Sequence, residues 1–214
     1  MANDIIKDLK DLVNMINLKF TAQEKFQMGD NHFYGKNGTE YDREKAFKWF
    51  LLSAEEGNAE AQNAVSVCYL EGIGTLRNPE RAFEWCLKAA EQEFTLAQSN
   101  LAHLYERGLG TEQDLKKSFE YYKKAAEKGY MQAQNMLGGC YYSGKGTEKD
   151  FEKAFEWFKK SAEQGDFQAQ YNIASCYRNG LGTEKDLLEA VYWYMKSYKQ
   201  GYSKAEAALR SMLK

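Results

Sequence analysis

The chain has one proline, two histidines and four cysteines in 214 residues, and its formal net charge is −2. A single proline, Pro79, provides no proline-rich linker, and no serine-rich run replaces it, so one continuous folded unit is expected. The two histidines, His32 and His103, have neither a ligand-spaced partner nor an accompanying nucleophile, which argues against a metal site or a catalytic triad. The near-zero charge supplies no long-range attraction for a polyanion, so nucleic acid is not expected as a partner. No window approaches the ~18 uninterrupted apolar residues of a membrane span, which speaks against membrane insertion. The opening MANDIIKDLK lacks the basic region, long apolar run and small-residue cleavage site of a secretory signal. A soluble, cytoplasmic protein is therefore expected, secretion remaining open if a signal peptide has been removed. The charge is uneven along the chain: residues 1–107 carry 12 basic and 17 acidic side chains, and residues 108–214 carry 17 and 14.

What the sequence does have is glycine at a fixed period. The motifs Gly72-Ile73-Gly74-Thr75, Gly108-Leu109-Gly110-Thr111, Gly144-Lys145-Gly146-Thr147 and Gly180-Leu181-Gly182-Thr183 stand 36 residues apart. Other columns keep the same step: Ala61, Ala97, Ala133, Ala169 and Ala205; Gln62, Gln98, Gln134 and Gln170; Tyr69, Tyr105, Tyr141 and Tyr177; and the aromatic column Trp49, Trp85, Tyr121, Trp157 and Trp193. Within one period the apolar spacing is helical. Ala133, Met136, Leu137, Cys140 and Tyr141 share one face, and Ala154, Phe155, Trp157, Phe158 and Ala162 form a second stripe after the loop. Each period is thus a helical hairpin, with a first helix A and a second helix B.

The punctuation agrees. Asp42, Asn78, Asp114, Asp150 and Asp186 occupy one column before helix B, where a short side-chain oxygen can cap the first-turn N–H groups. Pro79 falls at the first helical position, where its missing N–H costs nothing. Gly57, Gly129, Gly165 and Gly201 suit a left-handed turn at the end of helix B, and Glu93 breaks that column. Helices A are predicted at about 59–70, 94–106, 130–142 and 166–178, and helices B at about 43–55, 79–91, 115–127, 151–163 and 187–199.

One hairpin alone leaves an apolar face in water, so the hairpins must stack, each helix A between two helices B. The expected fold is all-α, an α/α superhelical solenoid of 36-residue helix-turn-helix repeats closed by capping helices. The expected divisions are an N-terminal capping helix in 1–19, a divergent first repeat in 20–57, repeats at 58–93, 94–129, 130–165 and 166–201, and a C-terminal capping helix in 202–214. The N-terminal cap rests on the amphipathic stripe Ile5, Ile6, Leu9, Leu12, Val13 and Ile16. The first repeat departs from the pattern because its loop keeps Gly38 in register while its leading glycine has moved to Gly35.

The pattern A-Q-x-x-L-x-x-x-Y-x-x-G-x-G-T-x-x-D-x-x-K-A-x-x-W, approximated from Ala133 to Trp157 and from Ala169 to Trp193, resembles the Sel1-like repeat, a relative of the tetratricopeptide repeat. The resemblance covers about residues 22–214. It implies a non-enzymatic adaptor or scaffold that holds protein partners, with no catalytic residue, cofactor or metal. By analogy with the tetratricopeptide repeat, helix A lines a concave groove, and its variable positions carry specificity. These are Asn63, Ser99, Asn135 and Tyr171; Val67, His103, Gly139 and Ser175; and Leu70, Glu106, Tyr142 and Arg178. A protein or peptide segment is the expected partner, with the chain itself a monomer or weak dimer. The constant Gln column reads instead as structural hydrogen bonding between hairpins.

Two further readings compete. Some relatives of this family are secreted, with paired cysteines in every repeat and hydrolase activity attributed to them; Cys68, Cys140 and Cys176 share one column, Cys86 lies alone, and such pairs are missing here. The other alternative is a self-assembling structural protein using apolar residues near the terminal helices. A nucleotide-binding reading of Gly144-Lys145-Gly146-Thr147 fails because one residue separates the glycines, no buried strand precedes them, and the lysine is Ile73, Leu109 or Leu181 in the other copies.

Overall fold

The structure, a computed structural model, describes residues 19–212, so the capping helix expected within residues 4–18 lies outside the described residues. All regular structure among the described residues is α-helical. In chain order the helices are α1 (Ala22–Tyr34), α2 (Arg43–Glu55), α3 (Ala59–Glu71), α4 (Pro79–Glu91), α5 (Thr95–Arg107), α6 (Leu115–Glu127), α7 (Met131–Ser143), α8 (Phe151–Glu163), α9 (Phe167–Asn179), α10 (Leu187–Lys199) and α11 (Ser203–Met212). Odd-numbered helices are the predicted helices A and even-numbered ones the helices B. The predicted B boundaries coincide with those observed, and from α3 to α9 the A helices start or end one residue later.

The caps explain where the B helices begin. Asp42, Asn78, Asp114 and Asp150 each accept a hydrogen bond from the backbone N–H three residues on, and Asp186 accepts from both Leu188 and Glu189. Thr21 and Glu24 form a reciprocal capping box at the start of α1. The loop glycines do more than turn the chain. At Gly146, φ is +70°, and a Cβ would lie 2.0 Å from the carbonyl oxygen of Leu115, so only glycine lets the loop rest on the first turn of α6. Glu93 adopts φ +60° where the other copies place glycine, so the break in that column is strained backbone rather than a changed turn.

The chain divides into two compact units, Met1–Ala97 and Gln98–Lys214. In the first, α2 packs against α1 and α3, and α3 against α4. Its core gathers Ala46, Phe47, Phe50, Val65, Cys68 and Tyr69 with the small residues Ala54, Ala61 and Ala82. In the second, neighbours pair in sequence from α6 to α11. Ala102, Tyr122, Leu137 and Cys140 belong to one cluster there, and Phe158, Ile173, Cys176, Trp193 and Tyr194 to another. All four cysteines are free and buried. Burial pushes the thiols up, Cys68 to about 11 and Cys86, Cys140 and Cys176 to about 12.

The glutamine column is structural, as its constancy implied. Gln62, Gln134 and Gln170 donate to the carbonyls of Ala54, Ala126 and Ala162 at the end of the preceding helix B. Their own carbonyls accept from Gln92, Gln164 and Gln200 at 2.7–2.9 Å. Gln98 keeps the column, but Lys128 stands where those donor glutamines would place it, and the Gln98 side-chain oxygen is buried without a hydrogen bond.

The first hairpin solves the same problem differently. Its N-cap Thr21 and C-cap Gly35 precede Asn58 and Gly72 by 37 residues rather than 36, because its loop holds one extra residue and Asn37 takes φ +54°. The shift puts Lys25 into the glutamine column. Lys25 is fully buried and pairs with Glu56, which stands 36 residues before Gln92.

Candidate partner-binding clefts

The same shift carries Phe26, Asp30 and Phe33 of α1 into the columns of Asn63, Val67 and Leu70. These are the variable helix A columns singled out in the sequence, and they meet in a cleft. A cavity of about 290 Å³ in the first unit is lined by Phe26, Asp30 and Phe33 from α1, by Glu60, Asn63 and Val67 from α3, and by Leu96 at the start of α5. Phe50 of α2 reaches it because Gly29 leaves room: a Cβ on Gly29 would lie 2.4 Å from the Phe50 ring. The lining is predominantly apolar, with the carboxylates of Asp30 and Glu60 among it. Asp30 is paired with Lys36 at 2.9 Å. The first unit carries 16 acidic and 11 basic residues, so the surrounding charge has the same sign.

The second unit has a cleft of about 260 Å³ built from the same columns but with different chemistry. Glu106, Asn135, Gly139, Lys145, Gln168 and Asn172 line it. Lys145 bridges to Glu106 at 2.8 Å, and the Tyr122 hydroxyl donates to the same carboxylate at 3.3 Å. Burial acts to raise the Glu106 pKa, but the hydrogen bond and charge of Lys145 outweigh it and hold the carboxyl below the usual range. Burial and the neighbouring Glu106 charge push the Tyr122 hydroxyl well up. Lys145, a variable loop residue in sequence, thus closes one side of this cleft.

The other residues singled out in sequence separate into distinct settings. Asn63, Ser99 and Asn135 are buried rather than outward, because the adjoining helix covers that column; Asn63 and Asn135 still reach the clefts, and Asn135 accepts from Asn172 at 2.9 Å. Val67 and His103 are exposed, Leu70 packs partly against the first core, and Tyr142 is exposed beside Phe151 and Phe158. Tyr171 is half-buried against Tyr194 and Tyr202, Ser175 bonds the Tyr194 hydroxyl, and Arg178 donates to Ser211. Sequence reasoning missed Phe26, Asp30, Phe33, Glu60 and Leu96. The displaced Gly35 was the signal that could have found the first three.

Comparison with known proteins settles the family. The family model described as Sel1 repeat matches five consecutive segments, residues 25–58, 59–94, 95–130, 132–166 and 167–202. The chain belongs to the Sel1 repeat family. A Sel1 repeat protein from Oxalobacter formigenes is 34% identical, with a TM-score of 0.84 over 91% of this chain and 77% of its own. The protein c5321 of uropathogenic Escherichia coli, described as a protective antigen displaying an SLR fold, is 35% identical with a TM-score of 0.81. That alignment covers 90% of this Sel1 repeat chain but only 41% of the Escherichia coli protein. No curated protein matches the chain. Sel1 repeats generally serve as protein-interaction scaffolds, and among the described residues of this Sel1 repeat chain no helix is long and apolar enough to cross a membrane.

Proposed function

We propose that this Sel1 repeat protein is a non-enzymatic scaffold whose helix A face holds a protein segment, with the apolar cleft of the first unit as the principal anchor. The observation that carries this reading is the recurrence of the same variable columns in both clefts, apolar in one and ionic in the other. A repeat that keeps its framework while these side chains change from copy to copy has them free for specificity. The first cleft fits one aromatic or branched aliphatic side chain, and the carboxylates of Asp30 and Glu60 favour lysine or arginine on either side of it. The four unpaired thiols support a reducing, cytoplasmic setting, and they do not favour the hydrolase reading, which depends on paired cysteines.

Selection of random peptides displayed on phage against the immobilised chain tests this. The expected result is a consensus of one large apolar residue flanked by basic ones, with binding lost in Val67→Asp. An acidic consensus, no enrichment, or undiminished binding to the Val67→Asp chain would overturn it.

A further inference from the structure

Helix α10 differs from every other helix B on the face that the repeat leaves in solvent. In the column of Leu188 the earlier hairpins place Glu44, Glu80, Lys116 and Glu152, and in that of Tyr192 they place Lys48, Glu84, Glu120 and Glu156. Leu188 is 85% exposed, Tyr192 50% and Met195 40%. Met195 extends the stripe where α6 and α8 carry Lys123 and Lys159 and where α2 and α4 carry the half-buried Leu51 and Leu87. A following hairpin does not explain this face. The equivalent Glu152, Glu156 and Lys159 of α8 stay exposed even though α9, α10 and α11 follow. Exposing three large apolar side chains, two of them at positions charged in every other hairpin, is unfavourable in water unless something covers them.

We infer that this stripe is a two-fold, self-complementary interface at which α10 packs antiparallel against α10 of a second copy of this chain. The charge distribution selects that occupant. Glu184, Asp186 and Glu189 stand at the N-terminal end of the stripe and Lys196 and Lys199 at its C-terminal end. Leu188, Tyr192, Met195 and Lys199 follow helical spacing along one face of α10, and Glu184 lies in the loop just before its N-cap Asp186. A two-fold axis beside Tyr192 sets Leu188 against the second copy's Met195 and brings the acidic loop end of each α10, with Glu184, towards Lys199 at the C-terminal end of the other, while the two helix dipoles oppose. The ammonium of Lys196 lies 4.6 Å from the ring centroids of both Tyr192 and the buried Trp193, which holds the exposed Tyr192 ring in place at the centre of the contact.

Sedimentation equilibrium from micromolar to near-millimolar protein tests the inference. The wild-type chain is expected to shift from one to two copies with concentration. The triple variant Leu188→Glu, Tyr192→Glu, Met195→Lys, which restores the residues of α8, is expected to stay monomeric with unchanged helical circular dichroism. If the triple variant loses helicity, Leu188→Glu alone serves, since that side chain touches little in the monomer. Glu184→Lys or Lys199→Glu alone should each weaken association at least ~10-fold, and the two together should restore it. A wild-type chain that is monomeric throughout, association unaffected by Leu188→Glu, or a charge-swapped pair no better than its single variants would overturn the interface.

Discussion

Lys25 and Glu56 form, in the first hairpin, the contact that paired glutamines form in three later positions, as between Gln62 and Gln92. One extra loop residue shifts α1 by one position, and the buried amide pair becomes an ion pair with Lys25 fully enclosed. Removing one charge leaves the other in a poor environment, whereas converting both recreates the amide pair. Glu56→Gln should therefore cost about 1–3 kcal/mol, moderated by the partial exposure of Glu56, and Lys25→Gln with Glu56→Gln should recover at least half of that. Urea unfolding of the single and double variants measures the coupling, and additive losses would contradict it.

Gly146 and Lys145 are neighbours with opposite tolerance. Gly146→Ala places a methyl into the carbonyl of Leu115 and strains a left-handed residue, so a loss above about 3 kcal/mol is expected. Lys145→Ala removes only a largely exposed partner of Glu106, for a loss within about 1 kcal/mol. Thermal unfolding of the two variants should separate them clearly.

Glu93 holds φ +60° where Gly57, Gly129, Gly165 and Gly201 serve elsewhere. Glu93→Gly should stabilise the chain by about 1 kcal/mol, because relief of the left-handed strain exceeds the entropy glycine adds to the unfolded chain. Lower stability in denaturant titration would show that the Glu93 side chain contributes more than its backbone costs.

The four thiols are buried, with pKa values raised to about 11 for Cys68 and about 12 for Cys86, Cys140 and Cys176. Almost no thiolate is present at neutral pH, so iodoacetamide should leave the native chain unlabelled and modify all four cysteines once it is unfolded. Intact mass reads both states. Native labelling at neutral pH, or fewer than four labels after unfolding, would contradict this burial and redox state.

The framework was open to inspection in the sequence because glycine turns, Asp and Asn caps and small-residue columns each answer a local demand and recur with it. The clefts were only half legible. Val67 and Glu106 could be read from their columns, but burial of Asn63, Ser99 and Asn135 depends on which side the adjoining helix covers, which periodicity alone does not fix. Phe26, Asp30 and Phe33 were hidden by the one-residue shift of α1. Leu96 and Glu60 were passed over because their column lies on the first turn of helix A, next to the loops rather than on the helix face that varies most visibly.

The first-unit cleft as the partner anchor is tested most directly by methyl-resolved NMR of the chain titrated with a peptide from the phage selection. Val67 and Leu96 should show the largest shift changes, Leu70 smaller ones, and the methyls of α10 none. Perturbations centred on Leu188 and Val191, or on helix B residues of the first unit such as Leu51 and Leu87, would contradict the assignment.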